Sequence, residues 1–261
     1  MKKRYTALVL LLSVCCMLFA SSCAFETENM NKDIYYSENY KSYSGKAGIY
    51  NFKQALKKSV EDEEHTPDAL RFSLKLKSDE TYGGVRTKTD VTYVGTMDFS
   101  GDYLRVSSDV ESNVESNGKA ATVRMKMWLN GLNTMYLDMT SESEGEKTTV
   151  KRRINLASDL GSEYTQYVAQ IKSIDYTDMV NDIISVVDYG LVSLERAGNK
   201  YRIKAEQGGT SLTYYVVIDN MGPCIKVRTS LGNASVVIDM RPTTRKVVMP
   251  YDTDKYVPYG D

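Results

Sequence analysis

The sequence predicts a mainly β chain: a curved, antiparallel half-barrel sheet of about eleven strands with two helices on its concave face. Three observations predict it. Apolar and polar residues alternate over long runs, beginning with Leu70, Phe72, Leu74 and Leu76 against Arg71, Ser73, Lys75 and Lys77, the period of a strand with one buried face. Turn signals recur at even intervals, from Gly83-Gly84 through Asn117-Gly118 to Gly232-Asn233. Two main stretches change to three-and-four spacing, which places apolar residues on one side of a helix.

The first 22 residues read as an export signal. Lys2, Lys3 and Arg4 precede the apolar run Ala7–Leu18, which falls short of the roughly 20 residues that a membrane-spanning helix needs. Ala20-Ser21-Ser22-Cys23 then resembles the lipobox of bacterial lipoproteins, departing from it at Ala20, where leucine is usual. The resemblance implies that Cys23 becomes a lipidated first residue and fastens the chain to the outer face of the cytoplasmic membrane, or elsewhere within the envelope. The alternative is ordinary cleavage with Cys23 incidental.

Residues 23–48, rich in Ser, Asn, Glu, Lys and Tyr without an apolar period, read as a flexible tether with a reach of about 25–30 Å. The domain proper is expected over 49–250, and residues 251–261 form a C-terminal tail. Ile49, Phe52, Leu56 and Val60 predict the first helix. A meander follows, because loops this short make hairpins and not parallel crossovers. Tyr176, Met179, Val180, Ile183, Ile184 and Val187 predict the second helix, with Asp175 placed to cap it and Gly190 beyond its end; Tyr164, Val168 and Ile171 suggest a helix or turn before it. Strands resume at Leu191–Glu195 and continue to Lys246–Met249.

Composition narrows the function classes. Losing Met1–Ser22 removes three basic residues and no acidic ones, so 30 basic residues face 34 acidic ones. That balance disfavours nucleic acid, which calls for clustered positive charge. The run Lys151-Arg152-Arg153 reads as a solvated strand face, and Cys224 as a small residue at a strand start. The chain is expected not to be an enzyme and to need no cofactor or metal. The single histidine, His65, has no partner for zinc. Ser116 and Lys119 match a Ser-x-x-Lys spacing but straddle a hairpin turn, and Asp252-x-Asp254 lacks the further ligands of a calcium loop.

The element order, the anchor, and the late pattern Tyr215–Asn220 followed by Ile225-Lys226-Val227 together resemble the LolA/LprG-like lipoprotein-carrier and lipid-binding superfamily. That resemblance implies a lipid or amphiphile held between sheet and helices. The expected lining is Leu104, Val106, Val123, Met125, Met127, Leu129, Met135, Leu137 and Met139 from the strands, with Met179, Ile183 and Val187 from the second helix. Methionine suits a surface that accommodates varied shapes. It equally suits a closed core, and a structural or interaction module contacting protein or wall polymer is the alternative. The sequence names no protein partner.

Overall fold

The computed structural model describes residues 33–61, 67–101, 103–172, 176–188, 192–207 and 210–259. They form one open sheet of thirteen strands, mostly antiparallel, and four helices. The expected count was about eleven strands and two main helices. The long strands number eleven, and the remaining two are two-residue strands that lie at the edges.

Six strands make a first meander: β2 (Ala69–Tyr82), β3 (Val85–Asp98), β4 (Arg105–Ser116), β5 (Lys119–Asn130), β6 (Thr134–Ser143) and β7 (Glu146–Asn155). Five make a second: β8 (Val192–Ala197), β9 (Lys200–Gln207), β10 (Thr210–Asp219), β11 (Gly222–Leu231) and β12 (Ala234–Thr243). They join where β12 pairs antiparallel with β2, Ile238 opposite Leu74 and Thr243 opposite Ala69. β1 (Lys41–Ser42) pairs with the outer edge of β8, and β13 (Val257–Pro258) runs parallel to the outer edge of β7. Asn117 and Gly118 take φ of 49° and 77° between β4 and β5, the positive angles of a tight hairpin turn.

Alternation places the core on one face. Leu194, Ile203, Tyr214, Val227, Ile238 and Leu74 stand side by side on six neighbouring strands, all buried. Two helices cover them. α1 (Lys46–Glu61) contributes Phe52, Leu56 and Val60; α4 (Tyr176–Asp188) contributes Tyr176, Val180, Ile183 and Val187 to the same cluster. Each fully buried side chain of this kind stabilises the fold by about 1.5–3 kcal/mol.

Two shorter helices serve a second cluster. α2 (Leu156–Asp159) is capped by Asn155, whose side chain accepts from the Ser158 N–H at 3.3 Å, while Asp159 Oδ2 accepts from the Asn155 N–H at 2.8 Å. Leu156 of α2 is buried with Met127, Leu129 and Met135, and Tyr164 and Val168 of α3 (Tyr164–Lys172) pack on them. The stretch marked by Tyr164, Val168 and Ile171 before the main helix thus forms a helix of its own.

Two expectations are corrected. Lys246–Met249 is not a strand: the Val247 N–H donates to Asp98 Oδ2 at 3.2 Å, a side-chain acceptor in place of a ladder partner. The expected tether, 23–48, is bound to the sheet wherever it is described. Tyr35 is 1% exposed, and α1 begins at Lys46 and not Ile49. Cys23, Asp175 and Gly190 lie outside the described residues.

Candidate functional site

Eight of the twelve residues expected to line a cavity divide between the two clusters. Leu104, Val106, Met127, Leu129, Met135 and Leu137 meet α2 and α3, whereas Ile183 and Val187 belong to the main core. Leu104 and Val106 touch both clusters. Met125, Met127, Leu129, Met135, Ile183 and Val187 keep only 1–4% of their surface. A side chain lining a space wide enough for an acyl tail retains more than that, so these six contact other side chains and not a void. Val123 and Met139 are half-buried and belong to neither cluster, and the Met179 side chain lies outside the described residues.

The opposite, polar face carries the more specific arrangement. Its centre holds an unusual density of buried charge: Arg71, Lys226 and Asp239 keep 8%, 9% and 3% of their surface. Register explains the proximity, because Asp239 of β12 stands between Lys226 of β11 and Ser73 of β2, and Arg241 stands beside Arg71. Asp239 receives two hydrogen bonds from Arg241, Nε to Oδ1 at 2.9 Å and an Nη to Oδ2 at 2.7 Å. Such a fork satisfies both oxygens at once.

Onto this cluster the segment from Asp33 to Ser44 lies as a strap. Asp33 Oδ1 accepts from the Tyr35 N–H at 3.1 Å, a local turn that aims the ring into the sheet. Tyr35 then packs among Val217, Cys224 and Tyr215, with the Lys226 ammonium 4.6 Å from its ring centre. Its hydroxyl donates to Asp239 Oδ1 at 2.7 Å. Tyr40 donates back to the Tyr35 carbonyl at 2.8 Å, and its own ring lies 4.6 Å beneath Arg202. The strap ends in β1, followed by a reciprocal pair in which Leu194 N–H donates to Ser44 Oγ and Ser44 Oγ donates to the Leu194 carbonyl.

Electrostatics follow this geometry. Burial works against ionisation of Asp33, yet the Lys226 ammonium, the Tyr35 N–H and the nearby Arg228 hold its carboxyl below the usual aspartate range. Burial, reinforced by the Asp239 charge, drives the Tyr35 hydroxyl strongly up, so it stays a proton donor. Burial and then the Asp219 carboxylate push the Cys224 thiol up to about 12. The thiol is therefore protonated at neutral pH and donates to Asp219 Oδ2 at 3.6 Å. The arrangement is a saturated clamp: every strong acceptor in it already has donors.

A second strap mirrors the first at the other edge. Asp252 accepts from Lys151 Nζ at 3.1 Å, and Tyr256, 4% exposed, lies under the same ammonium at 4.9 Å and edge-on to Tyr136. β13 follows. Asp252, noted for a calcium-like spacing, is thus engaged by Lys151 and by Lys255 at 3.4 Å. Ser116 and Lys119 face each other across the β4–β5 turn as expected, with Lys119 paired to Glu144.

Sequence reasoning missed Asp33, Tyr35, Lys226, Asp239 and Arg241. On β11 and β12 the charged residues occupy outward positions, where charge is ordinary. In the strap, one Asp-x-Tyr sits among several unremarkable tyrosines.

No family model matches the chain, and no curated protein matches it. Among solved structures, the translocator domain of the autotransporter NalP from Neisseria meningitidis is similar at 8% identity, covering 76% of this chain and 96% of that one, with a TM-score of 0.29. The superposition is too loose for fold or activity to pass between the two. The filled cores described above correct the expectation of an amphiphile carried between sheet and helices.

Proposed function

We propose that this chain is an exported, non-enzymatic envelope protein, anchored through a lipidated Cys23, that works by holding a closed-core sheet at the membrane as an interaction module. The observation that carries this reading is the strap. Asp33, where the chain is already clamped to the sheet, is only the tenth residue after Cys23, and ten extended residues span at most about 35 Å. An anchor there holds one face of the domain near its membrane, unlike the long free leash that the composition suggested.

The fold fits this role. A sheet of thirteen strands accumulates strong twist and curls, so α1 and α4 occupy the hollow of a half-barrel, in the manner of the LolA/LprG-like superfamily but with the hollow filled. The apolar face is taken by helices, and the polar face carries cross-strand ion pairs such as Lys88–Glu115 at 3.1 Å and Lys151–Asp138 at 3.4 Å. What remains to meet a partner is polar sheet surface.

Fractionation tests the reading. The wild-type chain is expected in the membrane fraction with a mass increment on its N-terminal cysteine, and Cys23→Ala is expected in the soluble fraction. Unchanged membrane association of Cys23→Ala after a high-salt wash, or a mature N-terminus without acyl mass, overturns it.

A further inference from the structure

The polar face is electrically uneven, and its unbalanced half is the one that the strap crosses. On β4 to β7, opposite charges alternate across the strands: Asp109, Lys126, Asp138 and Lys151 are consecutive register partners. On the β9 to β2 half, one register row reads Lys204, Thr213, Arg228, Val237 and Lys75. It thus sets a cation on every second strand, about 10 Å apart, with small side chains between. All three cations are exposed. Lys75 has no ion pair among the described residues, Arg228 lies over the Tyr215 ring at 5.6 Å, and Lys204 shares Glu195 with Arg202. The buried Asp239 is already saturated and neutralises none of them.

The strap fixes where this row sits relative to the anchor. Asp33 contacts Lys226 at 3.3 Å and feels the charge of Arg228, so the described residue nearest Cys23 in sequence sits beside the row. Building on the anchored reading above, we propose that the Lys75–Arg228–Lys204 row is a docking surface for the anionic headgroups of the membrane that holds Cys23. The row lies flat against that surface, while the ion-paired half faces away. Each cation within a Debye length of a negatively charged leaflet contributes about 1 kcal/mol, so three suffice to orient a domain that a lipid already retains.

The test uses the Cys23→Ala chain, which carries no lipid whether or not the wild type does, in co-sedimentation with vesicles of equal parts phosphatidylglycerol and phosphatidylcholine and with vesicles of phosphatidylcholine alone. Binding is expected to the anionic vesicles only. It should fall about fivefold for each of Lys75→Gln, Arg228→Gln and Lys204→Gln, and should weaken with salt. Lys126→Gln, on the balanced half, should leave it unchanged. These side chains are exposed, so an unaltered melting temperature verifies that each variant is folded. Equal binding to neutral vesicles, an unaffected triple variant, or an equal loss from Lys126→Gln overturns the proposal. So does binding to a soluble phosphodiester polymer without binding to vesicles. Failure of the anchor shows instead as a missing acyl mass on Cys23, or as membrane association of Cys23→Ala that survives a high-salt wash, neither of which these cations control.

Discussion

The Tyr35 hydroxyl donates to Asp239 Oδ1 at 2.7 Å across 204 residues of sequence, tying the start of the described chain to its last long strand. The bond is buried, and the ring that carries it is wedged beside Cys224. Tyr35→Phe keeps the ring and leaves one carboxylate oxygen short of a donor, which should cost about 1–2 kcal/mol in urea denaturation. Tyr35→Ala also removes the packing and should cost on the order of 3 kcal/mol. An equal effect of both variants would show that the hydroxyl, not the ring, holds the strap.

Cys224 reports on the same contact. The thiol is 4% exposed and its pKa is pushed up to about 12, first by burial, so a thiolate-selective reagent should leave the folded protein unmodified at pH 8. Tyr35→Ala opens the side of the pocket that the ring closes. Labelling should then proceed before global unfolding, read by mass spectrometry. Labelling at the same slow rate in both proteins would mean that the strap does not shield the thiol.

Asp239 should be the least replaceable charge on the face. Removing it in Asp239→Ala leaves Arg241 and Lys226 buried beside each other without their shared carboxylate. Breaking a buried pair from one side costs about 3–5 kcal/mol, and loss of soluble protein or a large fall in melting temperature is expected. By contrast, exposed Lys77→Ala, which loses the partner Asp90, should change stability by less than about 1 kcal/mol.

The strap has an acid limit. The Asp33 carboxyl is held below its ordinary value of 3.8 in the folded chain, so its contribution is complete above that value and is lost as pH falls through the lower folded one. The protection factors of the Tyr35 and Leu194 amides, corrected for intrinsic exchange, should therefore fall on acidification below about pH 4. Asp33→Asn should show the acid behaviour already at neutral pH. Protection factors that stay constant down to about pH 2 would mean that Asp33 contributes nothing to docking.

Gly95 makes room for a ring. A Cβ built there would meet the Phe72 ring at 2.5 Å and the Ser107 carbonyl at 2.5 Å, because Phe72 of the neighbouring strand lies across the glycine. Gly95→Ala should cost about 1–3 kcal/mol through overpacking, measured by urea denaturation. The double variant with Phe72→Leu should recover only part of it, since the carbonyl clash remains.

Most of the sheet was legible because its strands have one dry face. The period of two from Leu70 to Leu76, and again through Met125, Met127 and Leu129, is what a half-buried strand imposes on a sequence, and hairpin glycines mark the ends. Helix α4 was legible by the same logic at another period. The strap, β1 and β13 were not, because a segment held by one tyrosine, one carboxylate and two or three backbone bonds needs no repeating pattern. The core methionines were legible as apolar and illegible as full or empty: only the packing of α2 and α3 decides that, and Leu156 in its four-residue helix carries too short a signal to announce it. Lys246–Met249 read as a strand because Val247 and Val248 favour extended backbone, although Asp98 supplies the acceptor that a strand would have found in a neighbour.

Because Thr243 lies opposite Ala69, a polypeptide emerging N-terminus first finishes the middle of its sheet last. Each meander can zip from local hairpins, but their seam waits for almost the entire chain, a high-separation closure of the kind that folds slowly. Until then the rims of β2 and β12 are both bare, and bare rims recruit stray strands. A holding chaperone would find its target there, on two rims that pair with each other once folding ends.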